Sequence, residues 1–196
     1  MRATAAPILF CVSTSPGEGK STVSLHLALQ AAKSGVRTLL IDGDLRRGQL
    51  AERLGLEPEA EGLAELLREP GRPWRNVLRR LEPSGLEILP RGRPIEKTVD
   101  QLNSWLTGNN LAEMRATYGL VVIDASPLAP IADSMRFLRV VDRVLFITRL
   151  KTTPLRIAER VVKMIRSQQP AGFELIINHS FERRHYGNYY ETYQYR

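Results

Sequence analysis

Short apolar runs recur along the chain between segments of helical period: PILFCV (7–12), RTLLI (37–41), LEIL (86–89), LVVI (120–123), RVLFIT (143–148) and FELIIN (173–178). They are rich in Val, Ile and Leu and lack polar alternation, as strands covered on both faces are, so they predict a parallel sheet. Between the first two runs, Leu25, Ala28, Leu29 and Ala32 fall at i, i+3, i+4, i+7 and Gly35 closes the segment, which predicts a helix. A second helix is predicted over 154–169, with Thr153 as N-cap, Pro154 in the first turn, and Leu155, Ala158, Val162 and Ile165 on one face. Strands alternating with helices require right-handed crossovers, so the expected fold is α/β: a doubly wound, mostly parallel sheet with helices on both faces. The stretch 55–98 is broken by Pro58, Pro70, Pro73, Pro83, Pro90 and Pro94. It is expected to hold short helices and loops around the 86–89 strand, as an insertion and not a second domain.

Composition changes this picture little. The 196 residues, 43% of them apolar, suffice for one core, expected over 1–178, with a flexible tail over 179–196. Lys and Arg total 28 against 21 acids, a formal +7 that favours anionic partners. The excess is spread along the chain, at Arg46, Arg47, Arg79, Arg80, Arg91, Arg93, Arg183 and Arg184 among others, and reads as solvated surface. No nucleic-acid partner is expected. Cys11 is the only cysteine and lies inside an apolar run, as a reduced core thiol would. His26, His179 and His185 have no metal-ligand spacing with it. Trp74 and Trp105 read as packing or interface residues, and no run approaches the 18 apolar residues of a membrane span.

Candidate chemistry enters with STSPGEGKST (13–22), which follows a predicted strand and opens a predicted helix. This is the context of a phosphate-binding loop. Gly17 and Gly19 let backbone N–H groups converge on a phosphate and the helix N-terminus adds its positive end. Lys20 then reaches the β- and γ-phosphates and the Ser21 hydroxyl ligates Mg²⁺. Pro16, Gly17, Glu18, Gly19, Lys20, Ser21 and Thr22 are the expected nucleotide-binding residues, although Thr14 stands where the pattern usually has its first glycine. ATP or GTP is the implied ligand. In LLIDGDLRR, Asp42 and Asp44 leave the end of a strand expected beside the loop strand, one to take a proton and the other to orient Mg²⁺. In LVVIDASP, Asp124 ends another buried strand, where a carboxylate suits a metal-bound water.

These three motifs, followed by a tyrosine-dense tail, resemble the bacterial tyrosine kinases of capsular and exopolysaccharide export, P-loop NTPases of the ParA/MinD-like branch. EGLAELLREP and LEILPRG extend the resemblance over nearly the whole chain. It implies an ATP- and Mg²⁺-dependent autokinase in which Lys20, Asp42 and Asp44 are catalytic. Asp42 activates the acceptor tyrosine, Ser21, Asp44 and Asp124 manage Mg²⁺ and its waters, and Arg46 is the basic residue after the pair. Asn178 reads the adenine base. The implied acceptors are Tyr186, Tyr189, Tyr190, Tyr193 and Tyr195 of a neighbouring copy, five of the six tyrosines in the chain. Without that context, 186, 189, 190 and 193 also suit one face of a packed helix. A cognate membrane polysaccharide co-polymerase as activator, a phosphatase and a homo-oligomer are the implied partners. The implied location is cytoplasmic, at the inner face of the membrane through a partner or a further N-terminal region. The family usually carries a Glu-x-x-Arg-x-x-Arg helix before the loop strand; the residues before the loop here do not include it, which implies either a trimmed kinase domain or a different assembly, and Asp-Ala-Ser-Pro stands in place of Asp-x-Pro-Pro. Ser15 stands where ParA/MinD-type ATPases carry a signature lysine. An ATPase switch and a nucleotide-binding scaffold without turnover are the rival readings.

Overall fold

The structure, a computed structural model, describes residues 5–57, 60–95, 99–128, 133–168 and 170–179. The five tail tyrosines lie outside the described residues. Seven strands form one sheet: β1 (Ile8–Ser13), β2 (Thr38–Gly43), β3 (Arg79–Leu81), β4 (Leu86–Leu89), β5 (Leu120–Ala125), β6 (Arg143–Arg149) and β7 (Gly172–Asn178). Their order is β3-β4-β2-β5-β1-β6-β7, with every neighbouring pair parallel except β3 and β4. The six apolar runs are therefore all strands, shifted by at most two residues from their predicted ends. The antiparallel edge strand β3 was not predicted, because two of its three residues are arginines.

Period-two alternation sorts the central strands between two cores. Ile8, Phe10 and Val12 of β1, Leu39 and Ile41 of β2, and Val121, Ile123 and Ala125 of β5 face the larger core. That core is closed by α3 (Leu63–Arg68), α4 (Val99–Thr107), α5 (Asn110–Thr117) and α6 (Leu155–Ser167). Cys11, Leu40 and Val122 face the smaller one, under α1 (Lys20–Lys33) and the short α2 (Leu50–Arg53). Helices thus cover both faces, as expected of a doubly wound sheet. Trp74 and Trp105 are buried in the larger core, and the Cys11 thiol is buried in the smaller. Burial pushes that thiol well above its ordinary pKa, so it stays protonated.

Two expectations for the second helix are corrected. Pro154, not Thr153, is the N-cap of α6, and Thr153 spends its hydroxyl on Arg149 N (2.8 Å) and on the Glu18 carboxylate. The buried face of α6 runs through Val161 and Ile165 with Ala158 and Val162 beside them, whereas Leu155 is 72% exposed. The position of β2 also differs: β5 lies between it and the loop strand β1. This brings Asp124, and not Asp42, next to the loop strand, paired with Cys11.

Candidate active site

All parallel strands deliver their carboxyl ends to one edge of the sheet, and the strand order places β1 and β5 at its middle. The loop leaving β1 turns through Gly17 (φ 81°) and Gly19 (φ 96°), a left-handed backbone that favours glycine. A Cβ on Gly19 would also collide with the side chain of Asn178. Beyond Gly19 the chain enters α1, whose first N–H groups are directed at the cavity mouth.

The loop is braced from behind. Glu18 is buried, its Oε2 accepting the N–H groups of Thr14 (2.7 Å) and Ser15 (3.0 Å), its Oε1 the Thr153 hydroxyl. Its side chain therefore shapes the loop and does not face a ligand. Asn178 donates from Nδ2 to the Glu18 carbonyl (3.0 Å) and accepts its neighbour's N–H from His179 at Oδ1 (2.9 Å). Each polar end of Asn178 makes one backbone hydrogen bond, so its side chain holds the loop to the end of β7.

A cavity of about 680 Å³ opens in front of the loop, lined by Pro16, Gly17, Gly19, Lys20, Ser21 and Thr22 on one side. Asp44, Arg46, Arg47 and Arg53 line the other. Arg53 Nη1 donates to Thr22 Oγ1 (3.1 Å), tying α2 to α1 across the mouth. The basic mouth and the glycine turn together suit a polyphosphate. Arg53 was not among the expected residues, because nothing in its local sequence distinguishes it from other surface arginines.

Lys20 and the aspartates meet at the floor. Lys20 Nζ lies 3.6 Å from Asp44 Oδ2 and 3.7 Å from Asp124 Oδ1, and 3.1 Å from Ser21 Oγ. Asp44 Oδ1 accepts from Ser126 Oγ (2.6 Å) and Arg47 N (3.0 Å), which fixes its carboxylate. Ser126, within the Asp-Ala-Ser-Pro motif, is not among the expected site residues, because only the fold sets its hydroxyl against Asp44. Asp124 is fully buried and neither of its oxygens has a hydrogen-bond partner. Burial raises its pKa, with Lys20 opposing. A buried carboxylate so left is costly unless a cation or ordered water completes it. The residues at this floor, Ser21, Asp44 and Asp124, therefore fit a divalent cation held partly through water. Among the described residues no group of three or more His, Cys, Asp or Glu can hold a metal unaided. Nucleotide phosphates and water would have to supply most of the ligands, the usual arrangement for Mg²⁺.

Asp42 is set apart from this cluster. Its register partner is Asp124, but its carboxylate turns beneath the segment after Asp44 and accepts from Asp44 N and Leu50 N, each at 3.3 Å. A Cβ at Gly48 would collide with that carboxylate, so glycine is required where the segment crosses it. Burial, followed by the charges of Asp124 and Asp44, pushes Asp42 up to about 7. The two aspartates of the Asp-Gly-Asp turn thus differ in environment: Asp44 faces the cavity and Lys20, Asp42 lies in a small pocket with Arg91 and Glu52 behind it.

Residues 9–186 match the CobQ/CobB/MinD/ParA nucleotide-binding domain. The chain belongs to that family. Within it, the chain is 35% identical over 120 residues to tyrosine-protein kinase ptk of Acinetobacter johnsonii, an alignment covering 61% of this chain and 16% of that protein. It is 30% identical over 153 residues to the succinoglycan biosynthesis transport protein ExoP of Rhizobium meliloti, covering 76% and 19%. The chain therefore spans less than a fifth of the length of these two relatives. Among solved structures it is similar to the VpsO kinase domain, at 32% identity and a TM-score of 0.78, covering 87% of this chain and 84% of that one. The resemblance to bacterial tyrosine-kinase domains and the P-loop α/β fold are both borne out.

Proposed function

We propose that the chain is the catalytic domain of a protein-tyrosine autokinase that transfers the γ-phosphate of ATP, with Mg²⁺, to tyrosines of a neighbouring copy. The acceptors are Tyr186, Tyr189, Tyr190, Tyr193 and Tyr195, within the last eleven residues of the sequence. The observation that carries the reading is the division of labour within Asp-Gly-Asp. Asp44 faces Lys20 and the phosphate cavity, while Asp42, on the same turn, is a separate carboxylate held by two backbone N–H groups. An ATPase directing phosphate to water needs a positioned water; an autokinase needs a base that accepts a phenolic proton in line with the γ-phosphate.

In this reading the loop N–H groups and Lys20 bind and orient the phosphates, while Arg46, Arg47 and Arg53 neutralise charge at the mouth. Mg²⁺ would supply charge stabilisation for the phosphates, and Ser21, Asp44 and Asp124 would hold it and its waters. Asp42 receives the phenolic proton once the 44–50 segment admits the acceptor ring. Catalysis is mostly positioning and charge neutralisation, with no covalent enzyme intermediate. The name of the succinoglycan biosynthesis relative supports a place in capsular or exopolysaccharide production, and that of ptk supports the kinase reading. From that place follow the membrane co-polymerase as activator, a phosphatase, a homo-oligomer and a cytoplasmic position at the inner membrane face. Among the described residues no helix is long and apolar enough to cross a membrane.

The test mixes a Lys20→Met chain, intact in its tail, with an active chain whose five tail tyrosines are Phe, adding the cognate activator where required. Phosphotyrosine on the Lys20→Met chain by mass spectrometry is the expected result. Release of inorganic phosphate with no phosphotyrosine would instead assign an ATPase switch, and nucleotide binding with neither product a scaffold.

A further inference from the structure

Four arginines converge at the edge of the sheet opposite the nucleotide loop. Arg37 precedes β2, Arg79 and Arg80 belong to β3, and Arg75 lies in the 3-10 turn Trp74–Val77. Together with Glu87, Thr117 and Tyr118 they line a cavity of about 330 Å³. Parallel β2 separates this cavity from the active site, since Arg37 stands at its amino end and Asp42 near its carboxyl end. Six residues of strand span about 20 Å.

The cavity has a built floor. The Arg75 guanidinium lies over the Trp74 ring at 4.1 Å, and Arg37 lies over the Tyr118 ring at 5.7 Å. Trp74 and Tyr118 are themselves buried and 6.1 Å apart. Tyr118 donates its hydroxyl to Glu87 Oε2 (2.5 Å) and Trp74 donates Nε1 to Glu113 Oε2 (3.2 Å), so both rings are fixed beneath their cations. The acids around the site are already engaged: Glu87 with Tyr118, Glu113 with Trp74 and Arg75, Glu82 with Arg80. The hydrogen bonds on Arg75, Arg79 and Arg80 engage one or two of the five N–H groups of each. Glu87, Glu82 and Glu113 leave the four guanidiniums an excess of one positive charge, but Arg75, Arg79 and Arg80 each keep at least three N–H groups outside these bonds, which a phosphate with several oxygens satisfies better than a single carboxylate.

We propose that this cavity is a second, non-catalytic anion site that takes a phosphomonoester. The phosphate is gripped by the N–H edges of Arg37, Arg75, Arg79 and Arg80, and its organic group lies against the guanidinium planes. The site is independent of the kinase reading, because none of its residues takes part in the active site.

The experiment is a calorimetric titration of the chain, its nucleotide site saturated with Mg²⁺ and ADP, with inorganic phosphate and with phenyl phosphate. Binding of one equivalent is expected, and tighter for phenyl phosphate. Arg37→Ala and Arg80→Ala should each weaken it about tenfold or more, the loss of a charge-assisted contact. Both side chains are exposed, so these variants fold even if Arg75→Ala, which uncovers Trp74, does not. Lys20→Met, titrated without ADP, should retain this binding, and so should Arg156→Ala, an exposed arginine on α6. No binding beside saturating ADP, unchanged affinity in Arg37→Ala and Arg80→Ala, or an equal loss in Arg156→Ala would each overturn the proposal.

Discussion

Lys20 stands where three needs meet: it contacts the phosphate cavity and lies within 4 Å of both Asp44 and Asp124. Removing its charge leaves two buried carboxylates facing each other without a cation. Lys20→Met is therefore expected to abolish phosphate transfer. Lys20 belongs to neither hydrophobic core cluster, so a circular dichroism spectrum of the variant should remain that of the folded protein. Asp42 poses a different question, because it is fully buried and touches the cavity only if the 44–50 segment yields. If Asp42 is the general base proposed above, it should contribute about 10²- to 10⁴-fold to rate. Asp42→Asn should lower phosphotyrosine formation by that factor while nucleotide affinity, measured by titration, changes little. Asp44→Asn should instead raise the Mg²⁺ concentration needed for half-maximal activity. If both variants lose affinity and turnover in equal measure, the two carboxylates share one role and the assignment fails.

At the scale of elements, the loop keeps its shape through contacts that reach far along the chain. Glu18 joins the start of the loop to the start of α6 through Thr153, and Asn178 joins it to the end of β7. Glu18→Ala leaves the N–H groups of Thr14 and Ser15 without their acceptor, a cost of ~1–3 kcal/mol, which urea unfolding would read. Nucleotide affinity should fall with it, whereas Thr153→Val should do less of both. A second junction lies at the opposite end of the strands. Arg115 donates to the carbonyls of Ala6 and Val140 and to Asp142 (2.7 Å), and Asp142 also accepts Ile8 N (2.7 Å). Although burial alone would raise it, these bonds hold the Asp142 carboxyl below its ordinary value. A depressed folded pKa adds stability that is present above the unfolded value, near 3.9, and is lost as pH falls through the folded one. Because the side chain is 40% exposed, the effect is discounted to about 1 kcal/mol. Asp142→Asn should cost that much at pH 7, and the difference from wild type should close as pH falls through the folded-state value. Neither junction was legible in the sequence. The P-loop, Asp42, Asp44 and Asp124 were, because a glycine turn and carboxylates at the ends of apolar runs are local patterns. Glu18 reads in sequence as one of the nucleotide-binding loop residues, because its partners, Thr153 and the backbone it caps, are set by the fold. α5 escaped for a related reason: only Leu111 and Met114 are buried, too few to mark a helical face.

For the molecule as a whole, what local patterns left open was strand order. Six apolar runs imply a parallel sheet, but nothing within a run says that β5 inserts between β2 and β1, and this insertion decides that Asp124 adjoins the loop strand. The same insertion couples the site to global stability. β1, β2 and β5 carry side chains into both cores, and their carboxyl ends carry the loop, Asp42 and Asp124. Opening the site therefore breaks the central strands, so a ligand of the site stabilises the whole domain and not a detachable part. A ligand at a hundred times its Kd stabilises a protein that binds it only when folded by about 2.7 kcal/mol. For a domain of 150–250 residues, 1 kcal/mol shifts Tm by roughly 2–4 °C. Mg²⁺ and ADP at that excess should thus raise Tm by about 5–11 °C in a single transition, as read by scanning calorimetry. With Lys20→Met at the same concentrations the shift should shrink in step with its weaker affinity, and chelating the metal should reverse most of it in the wild type. Two transitions, of which only one moves with nucleotide, would show that the loop and its strands unfold apart from the rest and would sink the coupling. The two-core argument makes the single transition the expected outcome, because no set of strands holds the site without also holding both faces of the sheet.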